Sequence, residues 1–173
     1  MPTPEFVVRL RASIGHDLLW LTGVTGYVED RDGRILLARR SDTGEWALVY
    51  GINEPGEEPA DTVAREIKEE TGIDAVATDL VSVKSSTHVV AYKNGDRAMY
   101  MDHLFLCTLA PGGNDIPFVG DEESLAVGWF PPDGLPRPLA ETTVERLEYV
   151  RRYKNRAAQG DSHAQFSFDG AIR

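Results

Sequence analysis

Apolar residues recur along this chain in two different periods. Short runs of alternating or unbroken apolar residues, bounded by Gly, Asn, Asp and Pro, carry the pattern of strands closed by turns. Phe6 to Leu10, alternating apolar and basic, and Leu18 to Leu21 read as N-terminal strands within residues 5–21. Val24 to Val28 and Ile35 to Ala38 flank Asp32-Gly33, and Val81 to Tyr92 and Met99 to Leu109 surround Asn94-Gly95. Both dipeptides are hairpin signals, because primed turns need positive φ. Trp46 to Tyr50 is a further short run, and Leu125 to Phe130 a last strand stopped by Pro131-Pro132. Two stretches follow the helical period instead. From Pro59 to Thr71, Ala60, Val63, Ala64 and Ile67 fall at i, i+3, i+4, i+7, with Pro59 suited to the first turn and Gly72 to a left-handed stop. From about Ala140 to Ala157, Val144, Leu147 and Val150 face inward, and Arg151, Arg152, Lys154 and Arg156 gather near the end, where cations complement the helix dipole. The pattern predicts a mixed α+β or α/β sandwich in which strands are the majority.

Length adds a domain count. The 173 residues, 42% of them hydrophobic, fit one domain over 1–158 with its core at about 20–157. Residues 159–173 form a polar tail with two Phe, readable as an added strand or as a frayed end. Charge then excludes a class of partner: 18 basic residues against 28 acidic ones leave −10, the wrong sign for a nucleic-acid polymer. An anionic substrate would need a cation not encoded in the chain. Cys107 has no second cysteine to pair with and reads as a small buried hydrophobe, which fits a reducing compartment. No apolar run approaches the ~20 residues of a membrane span, and MPTPEFVVRLR has no signal-peptide pattern. The expected location is cytoplasmic.

The first helix concentrates the charge. Glu66, Glu69 and Glu70 are related by i+3 and i+4 and share one face beside the apolar stripe, where like charges repel. No lysine stands four residues beyond any of them, and the one well-oriented opposite pair on the helix is Asp61 with Arg65. The loop ahead, Gly51-Ile52-Asn53-Glu54-Pro55-Gly56-Glu57-Glu58, adds a glycine carbonyl and Glu57. From Gly51 to Ile73 there are seven acidic and two basic residues, a net −5 and half the excess of the whole chain. Oxygen-only, carboxylate-rich sites select hard cations such as Mg²⁺ or Mn²⁺, the ions that commonly serve phosphoryl chemistry.

These residues carry a resemblance. Gly51, Glu57 and the run Arg65-Glu66-Ile67-Lys68-Glu69-Glu70-Thr71-Gly72-Ile73 match the Nudix box, G-x5-E-x7-R-E-U-x-E-E-x-G-U with U a bulky aliphatic, at all nine restricted positions over 23 residues. Leu36-Leu37-Ala38-Arg39-Arg40, Trp46-Ala47-Leu48, Val127-Gly128-Trp129-Phe130-Pro131 and Leu135-Pro136 look like the framework of the same family. The resemblance implies an α/β/α sandwich with a mixed β-sheet core and a loop-helix-loop motif. It also implies Mg²⁺- or Mn²⁺-dependent hydrolysis of a nucleoside diphosphate linked to another moiety, with a homodimer as a plausible assembly. Carried over by position, Gly51, Glu57, Glu66, Glu69 and Glu70 would hold the metal, and Arg65 would orient the glutamates by pairing. Two departures stand out. Val49 and Tyr50 replace the Pro-Gly that often precedes the motif glycine, and Tyr50 either packs into the sheet or stacks on a substrate base. No proline stands 16 residues past the box, where Val89 sits, so the marker of ADP-ribose hydrolysis is missing; Tyr92 is only loosely placed for the dinucleoside-polyphosphate marker.

Attack of a metal-activated water on phosphorus needs a general base. Glu66 is one candidate, and Glu122 or Glu123 in Gly120-Asp121-Glu122-Glu123-Ser124 is the other, alongside the reading of that segment as a solvated turn. Arg39 and Arg40 end a strand and can meet substrate phosphates, although adjacent strand residues point to opposite faces, so at most one of the two is expected to serve. Trp46 is read as a core residue, and His16, His88, His103 and His163 have no ligand spacing. The leading function is a nucleotide pyrophosphohydrolase of house-cleaning type. An ADP-ribose or nucleotide-sugar pyrophosphatase is its alternative within the same chemistry. A regulatory nucleotide-binding module is a further class, against which stands the complete set of box glutamates. An RNA-end substrate is disfavoured by the charge.

Overall fold

Ile35, Leu36, Leu37 and Ala38 are all buried to 3% exposure or less, as a strand covered on both faces requires. The computed structural model describes residues 3–173. In chain order these form α1 (Glu5–Ile14), β1 (Leu19–Glu29), β2 (Ile35–Arg40), β3 (Trp46–Ala47), β4 (Val49–Ile52), α2 (Pro59–Thr71), β5 (Ala75–Ser85), β6 (Val90–Ala91), β7 (Arg97–Leu109), β8 (Ser124–Phe130), α3 (Glu141–Ala157), β9 (Ser167–Phe168) and β10 (Ala171–Ile172). The sheet is mixed: β3-β2-β1-β7-β5, with β1 and β7 parallel, while β4 pairs with β1, β8 with β2 and β6 with β7. On one face Val24, Val28, Leu36, Ala38, Val49 and Cys107 pack against Val63 and Ile67 of α2. On the other, Tyr27, Ile35, Leu37, Val81 and Leu104 pack against Tyr149, Val150 and Tyr153 of α3. The result is the mixed α+β sandwich that the periodicity predicts. Among the described residues no helix is long and apolar enough to cross a membrane.

α2 has the predicted bounds, with Pro59 in its first turn and Gly72 closing it at φ 72°. Ala60, assigned to the buried stripe, is exposed, whereas Thr62, Glu66, Glu70 and Thr71 are buried beside Val63 and Ile67. In α3 the inward face is Thr143, Tyr149, Val150 and Tyr153, and Val144 is 55% exposed.

The N-terminus corrects a prediction. Phe6 to Leu10 is not a strand but lies in α1, which follows Pro4, carries a Glu5–Arg9 pair at i,i+4 and ends at Gly15 with φ 58°. A five-residue alternation is too short to outweigh those end signals. Val7 packs on Leu19, Leu21 and Ala98, and Arg11 ties the helix down through bonds to the carbonyls of Gly15 and Arg97. Neither hairpin is a two-residue turn. At Asp32-Gly33 only the glycine has positive φ, and the Asp30 carboxylate accepts the amides of Asp32 and Arg34 to form a wider loop. The predicted Val81 to Tyr92 strand divides into β5, which begins six residues earlier at Ala75, and the two-residue β6. The tail is ordered where Gln165, 1% exposed, exchanges backbone bonds with Val81 and Val83 and donates its side-chain amide to the Tyr149 carbonyl.

Candidate active site

The sheet and α2 meet so closely at Gly51 that a side chain there would have to push Glu66 aside. A Cβ on Gly51 would lie 2.1 Å from Cδ of Glu66, so the missing side chain is what admits the Glu66 carboxyl against β4. That carboxyl is 2% exposed as a residue, and Glu70, one turn on, is 9% exposed. Burial, the largest influence on each, pushes Glu66 up to about 7 and Glu70 up to about 8. Arg65 lowers the first, and the neighbouring Glu66 and Asp121 charges raise the second further. Glu69, with 45% of its side chain exposed, is at the solvent edge of the same group.

Arg65 stands among the carboxylates. Its Nε and Nη2 donate to the two Glu57 oxygens at 2.7 and 3.0 Å, and its Nη1 donates to Glu66 Oε1 at 3.0 Å and Glu69 Oε2 at 3.1 Å. One guanidinium thus orients three acids, and these bonds replace the expected pairing with Asp61. Hydrogen bonding to Arg65 holds the Glu57 carboxyl below its usual range. The loop is fixed from beneath. Asn53 Nδ2 donates to the Glu57 carbonyl and to Thr62 Oγ1, and the buried Thr62 hydroxyl donates to Glu57 Oε2 at 2.9 Å. Asn53 and Thr62 carry no charge and belong to no spacing rule, which is why sequence reasoning passed over them.

A second loop reaches the cluster from the far end of α2. The amides of Phe118 and Gly120 donate to the carbonyls of Thr71 and Glu70 at 2.9 and 3.0 Å, using helix-end acceptors that would otherwise need water. A Cβ on Gly120 would lie 1.9 Å from the Glu69 carbonyl oxygen, so only glycine allows this docking. The docked loop brings Asp121 within electrostatic reach of Glu70. Glu122 and Glu123, the candidates from this segment, are exposed, and the Glu123 backbone is engaged by Ser41 and by the Asp121 carboxylate. Asp121 is the acid of the three whose charge acts on Glu70, and its position depends on a loop conformation that no residue pattern announced.

The candidate substrate residues divide. Arg39 is exposed and bonds the Gly44 carbonyl. Arg40, displaced by a register shift between Arg39 and Arg40, forks onto Asp42, lies over the Tyr50 ring at 5.0 Å and lowers the pKa of Glu70. A residue that sequence reasoning missed, Arg146 of α3, lies over the same ring at 5.4 Å. Trp46 packs edge-on against Phe130, in the core role expected of it. Cys107 is fully buried, and its thiol is pushed up to about 12.

The donor set on this face is carboxylate oxygen throughout, with no thiolate or imidazole, and two of its members are buried acids whose ionisation a nearby cation would favour. Among the described residues no three His, Cys, Asp or Glu side chains form a ready cage. Arg65, at the centre of Glu57, Glu66 and Glu69, is the cation that balances them in this arrangement. Ligand chemistry and burial therefore fit a hard divalent ion.

Known proteins resemble this chain over most of its length. A model of the NUDIX domain family matches residues 20–153. A MutT-like protein of Streptomyces ambofaciens is 37% identical over 124 residues, 72% of each chain. The 8-oxo-dGDP phosphatase NUDT18 of Mus musculus is 30% identical over 146 residues, 83% of this chain but 41% of its own length. Among solved structures, one described as a UDP-X diphosphatase superposes with a TM-score of 0.62 at 25% identity, covering 90% of this chain and 71% of that one.

Proposed function

This chain belongs to the NUDIX family of hydrolases, and we propose that it hydrolyses a pyrophosphate bond in a nucleoside diphosphate-X compound with Mg²⁺ or Mn²⁺ bound. Enzymes of the family act on phosphoric anhydrides of small nucleotides and generally use divalent ions. The observation that carries the reading is the Arg65 clamp on Glu57, Glu66 and Glu69, set beside the buried Glu66 and Glu70.

Glu66, Glu69 and Glu70, with Glu57 and the Gly51 carbonyl, are the residues that would hold the ion. When bound, the ion supplies charge neutralisation at phosphoryl oxygens and an acidified water. The protein's own groups do the rest. Arg65 keeps three carboxylates in one orientation, so their geometry is set before substrate arrives. Burial raises the Glu66 and Glu70 carboxyls to about 7 and about 8, and a bound cation would favour their ionised form. Asp121, held by the docked loop, is the residue that would accept a proton at its carboxylate, and Glu66 is the alternative acceptor on the helix. Arg40 meets the phosphate chain next to Glu70.

House-cleaning of a damaged or surplus nucleotide is the leading reading, supported by the likeness to a relative named 8-oxo-dGDP phosphatase. Nucleotide-sugar hydrolysis is the second, supported by the likeness to a UDP-X diphosphatase. The experiment is product release from a panel of nucleoside triphosphates, oxidised nucleoside diphosphates, ADP-ribose and UDP-sugars, with Mg²⁺ and with chelator, for the wild type, Glu69→Gln and Glu70→Gln. The expected result is hydrolysis of at least one class, abolished by chelation and reduced by roughly 100-fold or more in the variants. No hydrolysis of any member, or hydrolysis surviving both chelation and the substitutions, overturns the proposal.

A further inference from the structure

Most arginines that meet a carboxylate in this protein do so with two nitrogens. Arg65 forks onto Glu57, Arg40 onto Asp42, Arg34 onto Asp30 and Arg151 onto Glu148. Arg146 does not. Its side chain is 18% exposed, and it gives the Asp102 carboxylate only Nε, at 3.0 Å from Oδ2. Asp102 cannot shift toward a fuller fork without cost, since its Oδ1 accepts the Thr25 hydroxyl at 2.8 Å and Thr25 is wholly buried. Thr25 in turn pairs across the β1–β4 ladder with Tyr50, over whose ring the Arg146 guanidinium lies. Among the described residues neither Nη group of Arg146 makes a hydrogen bond. A guanidinium is thus fixed by a half-buried carboxylate at one edge and by an aromatic face, with its outer edge presented.

That outer edge has a second cation for company. Arg40 shares the Tyr50 ring, and its charge reaches Glu70. Tyr50 and Gly51 are neighbours on β4 and point to opposite faces, so the arginines line the α3 side of the strand whose other side meets Glu66. Asp42 already takes the fork of Arg40, whereas the Nη groups of Arg146 keep donors to offer, and such a planar group matches two oxygens of a phosphoryl group. With two guanidiniums over its ring, Tyr50 serves as their platform.

We infer that Arg146 is a substrate-recognition residue that, with Arg40, binds phosphoryl oxygens of the nucleotide's phosphate chain, with Tyr50 as platform and Asp102 and Thr25 as its support. The inference rests on the hydrolase reading and gives that site its anion specificity.

The test is calorimetric titration of the full chain with inorganic pyrophosphate, with and without Mg²⁺, and with adenosine as an uncharged control, for the wild type, Arg146→Met and Arg146→Lys. Kinetics on whichever nucleotide is hydrolysed run in parallel. Arg146→Met is expected to weaken pyrophosphate binding about 10- to 100-fold and to raise KM by a similar factor with kcat little changed. Arg146→Lys, which keeps the charge and the apolar stem but loses the fork, loses less and serves the same purpose should the Met variant fail to fold. Pyrophosphate affinity unchanged in folded variants overturns the inference, as does a wild type that binds no pyrophosphate. Affinity that depends on Arg146 without any hydrolysis overturns the hydrolase reading alone. Hydrolysis with affinity indifferent to Arg146 overturns the recognition role alone.

Discussion

At the scale of single residues, the site is built from one cation, one absent side chain and acids at graded depths. Arg65 contacts three carboxylates through a planar fork, a task that a lysine ammonium cannot reproduce. Arg65→Lys should therefore lower turnover by roughly 10- to 100-fold while the chain stays folded, read from steady-state kinetics and a thermal melt. Gly51→Ala places a Cβ 2.1 Å from the Glu66 carboxyl and should displace it, costing about 1–3 kcal/mol of stability together with most of the activity. Wild-type kinetics in that variant would remove Glu66 from the mechanism. The box acids, Arg65 and Gly51 were legible through the resemblance to the Nudix box, whereas helix spacing alone paired Arg65 with Asp61. Asn53, Thr62 and Arg146 were not, since an amide, a hydroxyl and one arginine among several acquire meaning only from the partner that folding brings.

At the scale of elements, α2 was legible to its ends because its apolar stripe, initial proline and terminal glycine agree with one another. Where local signals disagreed, reading failed. The alternation of Phe6 to Leu10 concealed a helix whose start and stop are written in Pro4 and Gly15. The loop from Pro111 to Gly120 has no period, yet its amides close the C-terminal end of α2 and deliver Asp121 to Glu70. Gly120→Ala tests that element. With a Cβ 1.9 Å from the Glu69 carbonyl the loop has to lift, and turnover should fall by roughly 100-fold. Hydrogen exchange at the Phe118 amide and at the amide of position 120 should rise in parallel. An unchanged rate with a lifted loop would show that Asp121 plays no part.

At the scale of the whole molecule, the −10 charge is a matter of ion linkage as well as of partner choice. Glu66 and Glu70 are raised from 4.5 to about 7 and about 8, so between pH 4.5 and 8 the folded chain holds more protons than the unfolded one. Their contribution to stability therefore falls as pH rises through that window and is constant above it. Without divalent ions, the melting temperature of Glu70→Gln should gain on the wild type from pH 5 to 8. Adding Mg²⁺ at pH 8 should stabilise the wild type more than the variant. Parallel melting curves at every pH would mean that Glu70 is not strained by burial. The central claim is that this acidic face, with a cation bound, directs water onto phosphorus. Mass spectrometry of the products formed from a hydrolysed nucleotide in ¹⁸O-labelled water tests it most directly. The account predicts one ¹⁸O in a single phosphate-bearing product, appearing only with Mg²⁺ or Mn²⁺ and lost in Glu69→Gln. Label appearing equally in chelator, or products carrying no label in phosphate, would contradict it.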